Sequence, residues 1–259
     1  MNTILFHSTI FGPIHSRRLG TSLGVNLSPV DGKVCSFDCL YCEAGYNAQG
    51  TGRSGLPTRE LVCRQLEEKL SAMRLAGETL DVITFSGNGE PTLHPEFNGI
   101  IDDTIALRDR FFPSVKISVL SNATRLDNPS VVEALRRVDN NILKLDSAIE
   151  ATMRAIDRPV SSSFTVDKVV AELAQFGEQC IVQTMMLRGT TPDGVAIDNT
   201  VPAEIDALIE AYRAIGPRQV MVYSIDRKTP CTTLSKVPRE ELEAVARRIR
   251  QAGFDVTIA

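Results

Sequence analysis

Three of the chain's six cysteines fall within eight residues, Cys35-Ser36-Phe37-Asp38-Cys39-Leu40-Tyr41-Cys42, with three and then two residues between them. Three close thiolates suit an iron–sulfur cluster better than a disulfide framework. A cuboidal cluster has four irons, so three cysteines leave one iron open to bind a substrate or cofactor directly. A structural zinc ion asks for four protein ligands, and no fourth Cys or His stands nearby at a suitable spacing: His7 and His15 precede the stretch and His94 is distant. A redox dithiol uses two cysteines and leaves the third unexplained. Cys63, Cys180 and Cys231 are scattered and read as small buried hydrophobes.

The elements that must position these thiols follow from the rest of the chain. Its 259 residues are 43% hydrophobic and 23% charged, the composition of a soluble globular protein long enough for one or two domains. A net charge of −4 predicts no strong pull toward nucleic acid, though it leaves room for a local basic patch. No apolar run approaches the ~20 residues of a membrane span, and the start, Met1-Asn2-Thr3-Ile4-Leu5-Phe6-His7, lacks a basic segment and a cleavage site. The expectation is a cytoplasmic protein with no membrane partner and reduced thiols.

Short β-branched and apolar runs alternate with helical patterns. Strands are expected at 23–27, 81–85, 115–120, 141–146, 180–186 and 219–224, with a last short one at 254–258. Helices are expected at 58–75 with Thr58 as N-cap, 95–110, 129–138, 165–177, 202–215 and 238–252. Gly12-Pro13 breaks any regular element near the start, and residues 45–57 read as a mobile loop. Such alternation implies a parallel sheet. Six units predict an α/β fold, a partial (βα)6 TIM-like barrel, with a doubly wound open sheet as the alternative. The expected organisation is one domain, 1–259: a short N-terminal extension at 1–22, a barrel core at 23–230, and a C-terminal helix and strand at 231–259.

Polar residues gather where the strands end: Ser86 to Glu90, Ser121 and Asn122, Lys144 and Asp146, Gln183, and Tyr223 and Ser224. That end of an α/β barrel carries the active site. Period-two alternation puts Lys144 and Asp146 on one strand face and Ser118 and Asn122 together on another. A buried Lys144 needs a partner, and Asp146 is the candidate; the pair is either structural or ligand-binding. His15-Ser16-Arg17-Arg18 offers two adjacent arginines for a phosphate or carboxylate, or a solvated turn. His94 reads as a capping or surface residue.

The Cys35, Cys39, Cys42 pattern, with Tyr41 before the third cysteine, resembles the radical S-adenosylmethionine (SAM) superfamily. Ser86-Gly87-Asn88-Gly89-Glu90 resembles that superfamily's Gly-Gly-Glu motif, with Asn88 interposed. The resemblance spans residues 23–230. The stretch from Gly12 to Gly20, together with the cysteine motif, is similar more narrowly to wyosine-synthase-related iron–sulfur oxidoreductases.

The resemblance implies that Cys35, Cys39 and Cys42 hold a [4Fe-4S] cluster whose open iron binds SAM. The reduced cluster then cleaves SAM to methionine and a 5′-deoxyadenosyl radical, which takes hydrogen from the substrate. It places the SAM amino group against the backbone of Ser86, Gly87, Asn88, Gly89 and Glu90. Ser121, Asn122 and Asp146 fall near the carboxylate or ribose, Gln183 and the Met185 backbone near the adenosyl part, and Tyr41 near the adenine. Lys144, Arg158, Tyr223 and Arg227 are candidate substrate contacts, the arginines alternatively solvated loop charges. The extra cysteines of wyosine synthases and of many peptide-modifying relatives are missing, so a single cluster is expected. The implied partners are a low-potential electron donor such as flavodoxin or ferredoxin and a small-molecule or nucleoside-like substrate. The alternative target is an RNA, a peptide or a protein.

Overall fold

The structure, a computed structural model, describes residues 4–16 and 19–259. One sheet carries ten strands, and its spine runs β1 (Ile10–Ser16), β2 (Gly20–Val25), β3 (Val82–Phe85), β4 (Lys116–Ser121), β5 (Asn140–Lys144), β6 (Cys180–Thr190), β8 (Gln219–Ser224), β10 (Val256–Ile258). From β2 to β10 every neighbouring pair on this spine is parallel, curling into a half-barrel. The six-unit partial barrel is therefore the architecture, and the expected last short strand is β10.

β1 is antiparallel to β2 and forms the sheet edge, so the stretch expected to be an extension supplies a strand and the start of another. Gly12-Pro13 does not end β1; it makes an irregularity, where the register shifts between Phe11 and Ile14. Arg17 and Arg18 lie outside the described residues. β7 (Ala196–Asp198) and β9 (Ser235–Lys236) pair antiparallel with the far end of β6, two short strands that no periodicity announced.

The helices lie on the outer face: α1 (Arg59–Leu75), α2 (Phe97–Phe111), α3 (Pro129–Arg136), α4 (Glu150–Asp157), α5 (Val166–Ala174), α6 (Pro202–Ile215) and α7 (Arg239–Gln251). α1 begins where Thr58 accepts the Leu61 N–H at 3.3 Å, and it buries Val62, Leu66, Leu70 and Met73. Burying one such side chain stabilises by about 1.5–3 kcal/mol. α5 ends earlier than the expected 177, and α4 is new: eight residues between β5 and α5 with no side-chain N-cap.

Alternation sorts the strand residues. Leu23, Ile83, Ile117, Leu143, Val182 and Val220 face outward into the helix-covered core. Inside, Ile142, Ile181 and Met221 pack with Leu19 and Leu120 as a small apolar plug. Other inner positions carry polar pairs: Ser22 with Thr84 at 2.8 Å, Asn140 donating to Ser118 at 2.9 Å, Gln183 donating to Tyr223 at 2.8 Å. A curled sheet whose inner wall is polar above an apolar plug leaves its mouth, at the strand C-termini, for a polar ligand. No helix among the described residues is long and apolar enough to cross a membrane.

Candidate radical-cofactor site

The three-thiol loop follows β2 and is tied down on several sides by backbone. Val34 donates to Asn88 O at 3.2 Å, and Glu90 donates back to Val34 O at 3.0 Å. On the other side Leu40 donates to Ile156 O at 2.9 Å, Asp38 to Asp157 O at 3.1 Å, and Val160 to Ser36 O at 2.9 Å. The end of α4 thus runs beside the loop as an extra strand would. Arg158 makes the bend there in the left-handed region, φ 49°. Cys231 donates its N–H to Leu40 O at 3.3 Å, so a cysteine distant in sequence abuts the loop through its backbone. Underneath, the buried Lys33 donates to Gly45 O at 2.8 Å and meets Asp38 at 3.6 Å.

The loop after β3 owes its glycines to this packing. A Cβ on Gly89 would stand 1.9 Å from Val34 O, and one on Gly87 (φ +154°) 2.3 Å from Asn26 Oδ1. The glycines thus let two loops of the chain touch, a requirement distinct from close approach to the SAM amino group. Asn88 likewise turns away from the mouth. It is fully buried; its Oδ1 accepts the Phe6 N–H at 2.8 Å, and its Nδ2 donates to Phe6 O and Pro29 O, both at 2.9 Å. Both functions of its amide are engaged by backbone, which pins the N-terminal segment. The expected cofactor contact at Asn88 is one of backbone, and its side chain is committed elsewhere.

Glu90 is buried, and four donors converge on it: Thr92 N at 3.1 Å, Thr92 Oγ1 at 2.5 Å, Ser121 Oγ at 2.8 Å and Asn122 N at 2.7 Å. Burial raises its pKa, and these bonds oppose that. Through these bonds the carboxyl group ties its own loop to the turn after β4. Asn122 follows, its Nδ2 donating to Ser36 Oγ at 2.9 Å and to Cys35 Sγ at 3.6 Å; Phe37 N also donates to Cys35 Sγ at 3.5 Å.

A buried polar knot closes the floor. Tyr41 OH donates to Asp146 Oδ2, and Lys144 Nζ donates to Tyr41 OH. Lys144 meets Asp146 Oδ2 at 3.1 Å and Asp157 Oδ1 at 3.6 Å. The Cys39 thiol donates to Asp157 Oδ1 at 3.5 Å. Asp146 Oδ1 accepts the Met185 N–H at 2.9 Å, and Asn199 Nδ2 bonds Asp146 O and Met185 O at 2.8 and 2.7 Å. Burial works against the Lys144 charge, and Asp146, Cys39 and Asp157 more than offset it, so its pKa stands well above the ordinary value. The expected Lys144–Asp146 pair is present; Tyr41 joins it through its phenol, which sequence did not announce.

Ser86, Gly87 and Gly89 remain half-buried, and Gln183 and Tyr223 line the inner wall. The two arginines expected at the substrate side have partners of their own. Arg158 meets Asp38 at 3.6 Å and lies over the Tyr46 ring, and Arg227 pairs with Glu43 at 2.6 Å on the exposed rim. His94 caps as expected but is buried, its Nε2 on Pro57 O at 2.8 Å and its Nδ1 accepting Glu96 N at 3.1 Å. Cys180 and Cys231 are buried and Cys63 half-buried. Asp157, Lys33 and Asn199 are the residues the motifs missed. Only the polar type of Asp157 next to Arg158-Pro159 could have hinted at its place.

The donor set fits a cluster. Among the described residues no three His, Cys, Asp or Glu side chains converge as ligands of one ion; a single tetrahedral ion needs that, whereas the thiolates of a [4Fe-4S] cluster each take a different iron. Two N–H donors point at the Cys35 sulfur, as suits a metal-bound thiolate. Without metal, burial and then the Glu90 charge push the Cys35 thiol up to about 11, and burial pushes Cys39 well above the ordinary value.

Comparison with known proteins agrees. The family described as the Radical SAM superfamily matches residues 30–201. A UPF0026 protein of Helicobacter pylori strain J99 is 27% identical over 222 residues, 84% of this chain; the chain spans 66% of that relative's length. A radical SAM methyltransferase from Sphaerobacter thermophilus shares the fold with a TM-score of 0.66 at 15% identity, over 92% of this chain and 65% of that one. The structure of TYW1 with a lysine-pyruvate adduct bound, the wyosine-related neighbour, gives 0.60 at 16% identity, over 90% of this chain and 75% of that one.

Proposed function

We propose that this chain, which belongs to the radical SAM superfamily and hence to enzymes that work with a [4Fe-4S] cluster and SAM, acts as a single unit over 1–259 to abstract hydrogen from a small-molecule or nucleoside-like substrate. The observation that carries the reading is the Val34–Gly89 bridge, which brings the three thiols and the Ser86–Glu90 loop to one barrel mouth. When bound, the reduced cluster supplies one electron that cleaves SAM to methionine and a 5′-deoxyadenosyl radical.

The chain's own residues have the following parts in this proposal. Cys35, Cys39 and Cys42 would hold three irons of the cluster and leave the fourth free to bind SAM. The half-buried backbone of Ser86, Gly87 and Gly89 borders SAM, and Glu90 holds Ser121 and Asn122 in place beside it. Asn122 steadies the Cys35 sulfur. The Tyr41–Lys144–Asp146 knot and the Met185 backbone form a rigid floor that keeps water from the adenosyl end. From the inner wall Gln183 faces the adenosyl end and Tyr223 presents its hydroxyl to the substrate, and Arg158 and Arg227 set the charge of the rim. A low-potential donor such as flavodoxin or ferredoxin delivers the electron.

The test is anaerobic reconstitution followed by metal analysis and an assay for 5′-deoxyadenosine under reducing conditions. About four irons and four sulfides per chain, with SAM cleavage lost in Cys39→Ala, is the expected result. Zinc without iron or sulfide, or full cleavage by Cys39→Ala, overturns the proposal. A deuterium-labelled candidate substrate that passes its label into 5′-deoxyadenosine identifies the target.

A further inference from the structure

We infer that the Lys144 ammonium raises the reduction potential of the cluster held by Cys35, Cys39 and Cys42, an inference that rests on the radical SAM reading above. The geometry is specific. The Lys144 side chain is only 14% exposed. Its Nζ and the Cys39 Sγ meet the same oxygen, Asp157 Oδ1, at 3.6 and 3.5 Å, so the ammonium stands no farther than about 7 Å from the sulfur. It also lies 4.5 Å from the centre of the Tyr41 ring, and Tyr41 sits in the chain between Cys39 and Cys42. Asp146 holds it from the strand side and the Tyr41 phenol from the cysteine loop. The charge is therefore fixed in place, shielded from salt and aimed at the cysteine loop.

Reduction adds one electron from an external donor to the cluster and so adds one negative charge there. A fixed positive charge at this range favours the reduced state. At an effective dielectric of ~20 the interaction shifts the reduction equilibrium about tenfold or more, which is at least about 59 mV for a one-electron couple. Net charge around a cluster is one of the levers on its potential. Asp146 and Asp157 pull the other way, but they do not change the sign of removing the lysine: its loss leaves the cluster in a more negative setting. The consequence is a division of labour. Lys144 makes the cluster easier to charge from its donor, at the expense of reducing power toward SAM.

The experiment is a reductive titration of reconstituted protein without SAM, followed by electron paramagnetic resonance, with iron and sulfide measured on each sample. Lys144→Met is expected to lower the midpoint by at least about 59 mV, and Lys144→Arg, which keeps the charge, to shift it by less than half as much. An unchanged midpoint in a fully loaded Lys144→Met protein overturns the inference. If that variant fails to load because two carboxylates lose their cation, Asp146→Asn is compared with Asp146→Asn/Lys144→Met. These differ only in the ammonium, and the same fall is expected between them; equal midpoints overturn the inference. Absence of any cluster in the wild type sinks the radical SAM reading instead, so the two failures are distinct.

Discussion

Glu90 and Asn122 meet across two loops. Glu90 Oε2 accepts the Asn122 N–H at 2.7 Å while its Oε1 takes Ser121 Oγ at 2.8 Å, so one carboxyl group sets the turn after β3 and the turn after β4 together. Ala123, next in the chain, sits at φ +66°, a conformation that a non-glycine residue keeps only where its surroundings dictate it.

Replacing Glu90 by Ala strands these buried donors. The expected loss is about 3 kcal/mol or more in chemical denaturation, with weaker SAM binding because the Asn122 turn loosens. Glu90→Gln keeps the shape but turns an amide N–H toward donors at one oxygen, and should lose less. Wild-type stability in Glu90→Ala would show that the four bonds do not order the loops.

Asn88→Ala removes three hydrogen bonds to backbone, one buried and two part-buried. The expected cost is about 2 kcal/mol, concentrated at the N-terminal segment, where the amide of Phe6 should exchange far faster with deuterium. Asn88→Asp, which sets a carboxylate against two carbonyl groups, should be at least as damaging. Unchanged protection at Phe6 would contradict the assigned role.

Arg59 and Asp103 join α1 to α2 through two parallel bonds of 2.7 and 2.8 Å, with Gly99 leaving room for the guanidinium. Both side chains are partly exposed, so Arg59→Ala should cost about 1 kcal/mol or less. SAM cleavage should be untouched, because the pair lies on the outer helices. A large loss of activity would mean that the helix layer positions the mouth more directly than its contacts indicate.

Cys180 is buried, and burial pushes its thiol from the ordinary 9.0 up to about 12. In native protein at pH 8 it should resist iodoacetamide while Cys63 labels, as mass spectrometry can follow. The sign for stability follows: the contribution is complete below 9.0 and is lost as pH rises toward about 12, where folding would force a thiolate into the core. Rapid labelling of Cys180 in the folded state would mean that β6 opens easily.

Much of this protein was determined by local sequence. The spacing of Cys35, Cys39 and Cys42 names a cluster, because ligand type and separation are set within eight residues. Strand–helix alternation names the parallel α/β sheet, because few other arrangements bury so many alternating apolar runs, and it left the half-barrel and the doubly wound sheet as the two candidates. Even the Lys144–Asp146 pair follows from strand alternation alone.

Only the tertiary structure decided what the motif residues touch. Asn88 lies in a cofactor-like motif, yet it serves Phe6, and nothing within the motif says that the N-terminal segment will lie beside it. Gly87 and Gly89 answer to Asn26 and Val34. α4 is too short and uncapped to signal itself, so its buried Asp157 and the link through it from Lys144 to Cys39 were invisible. The physical reason is common to all three. Periodicity and spacing report contacts within a few residues, while the partners of a buried polar group arrive from elements dozens of residues away and are chosen by the fold that brings them there.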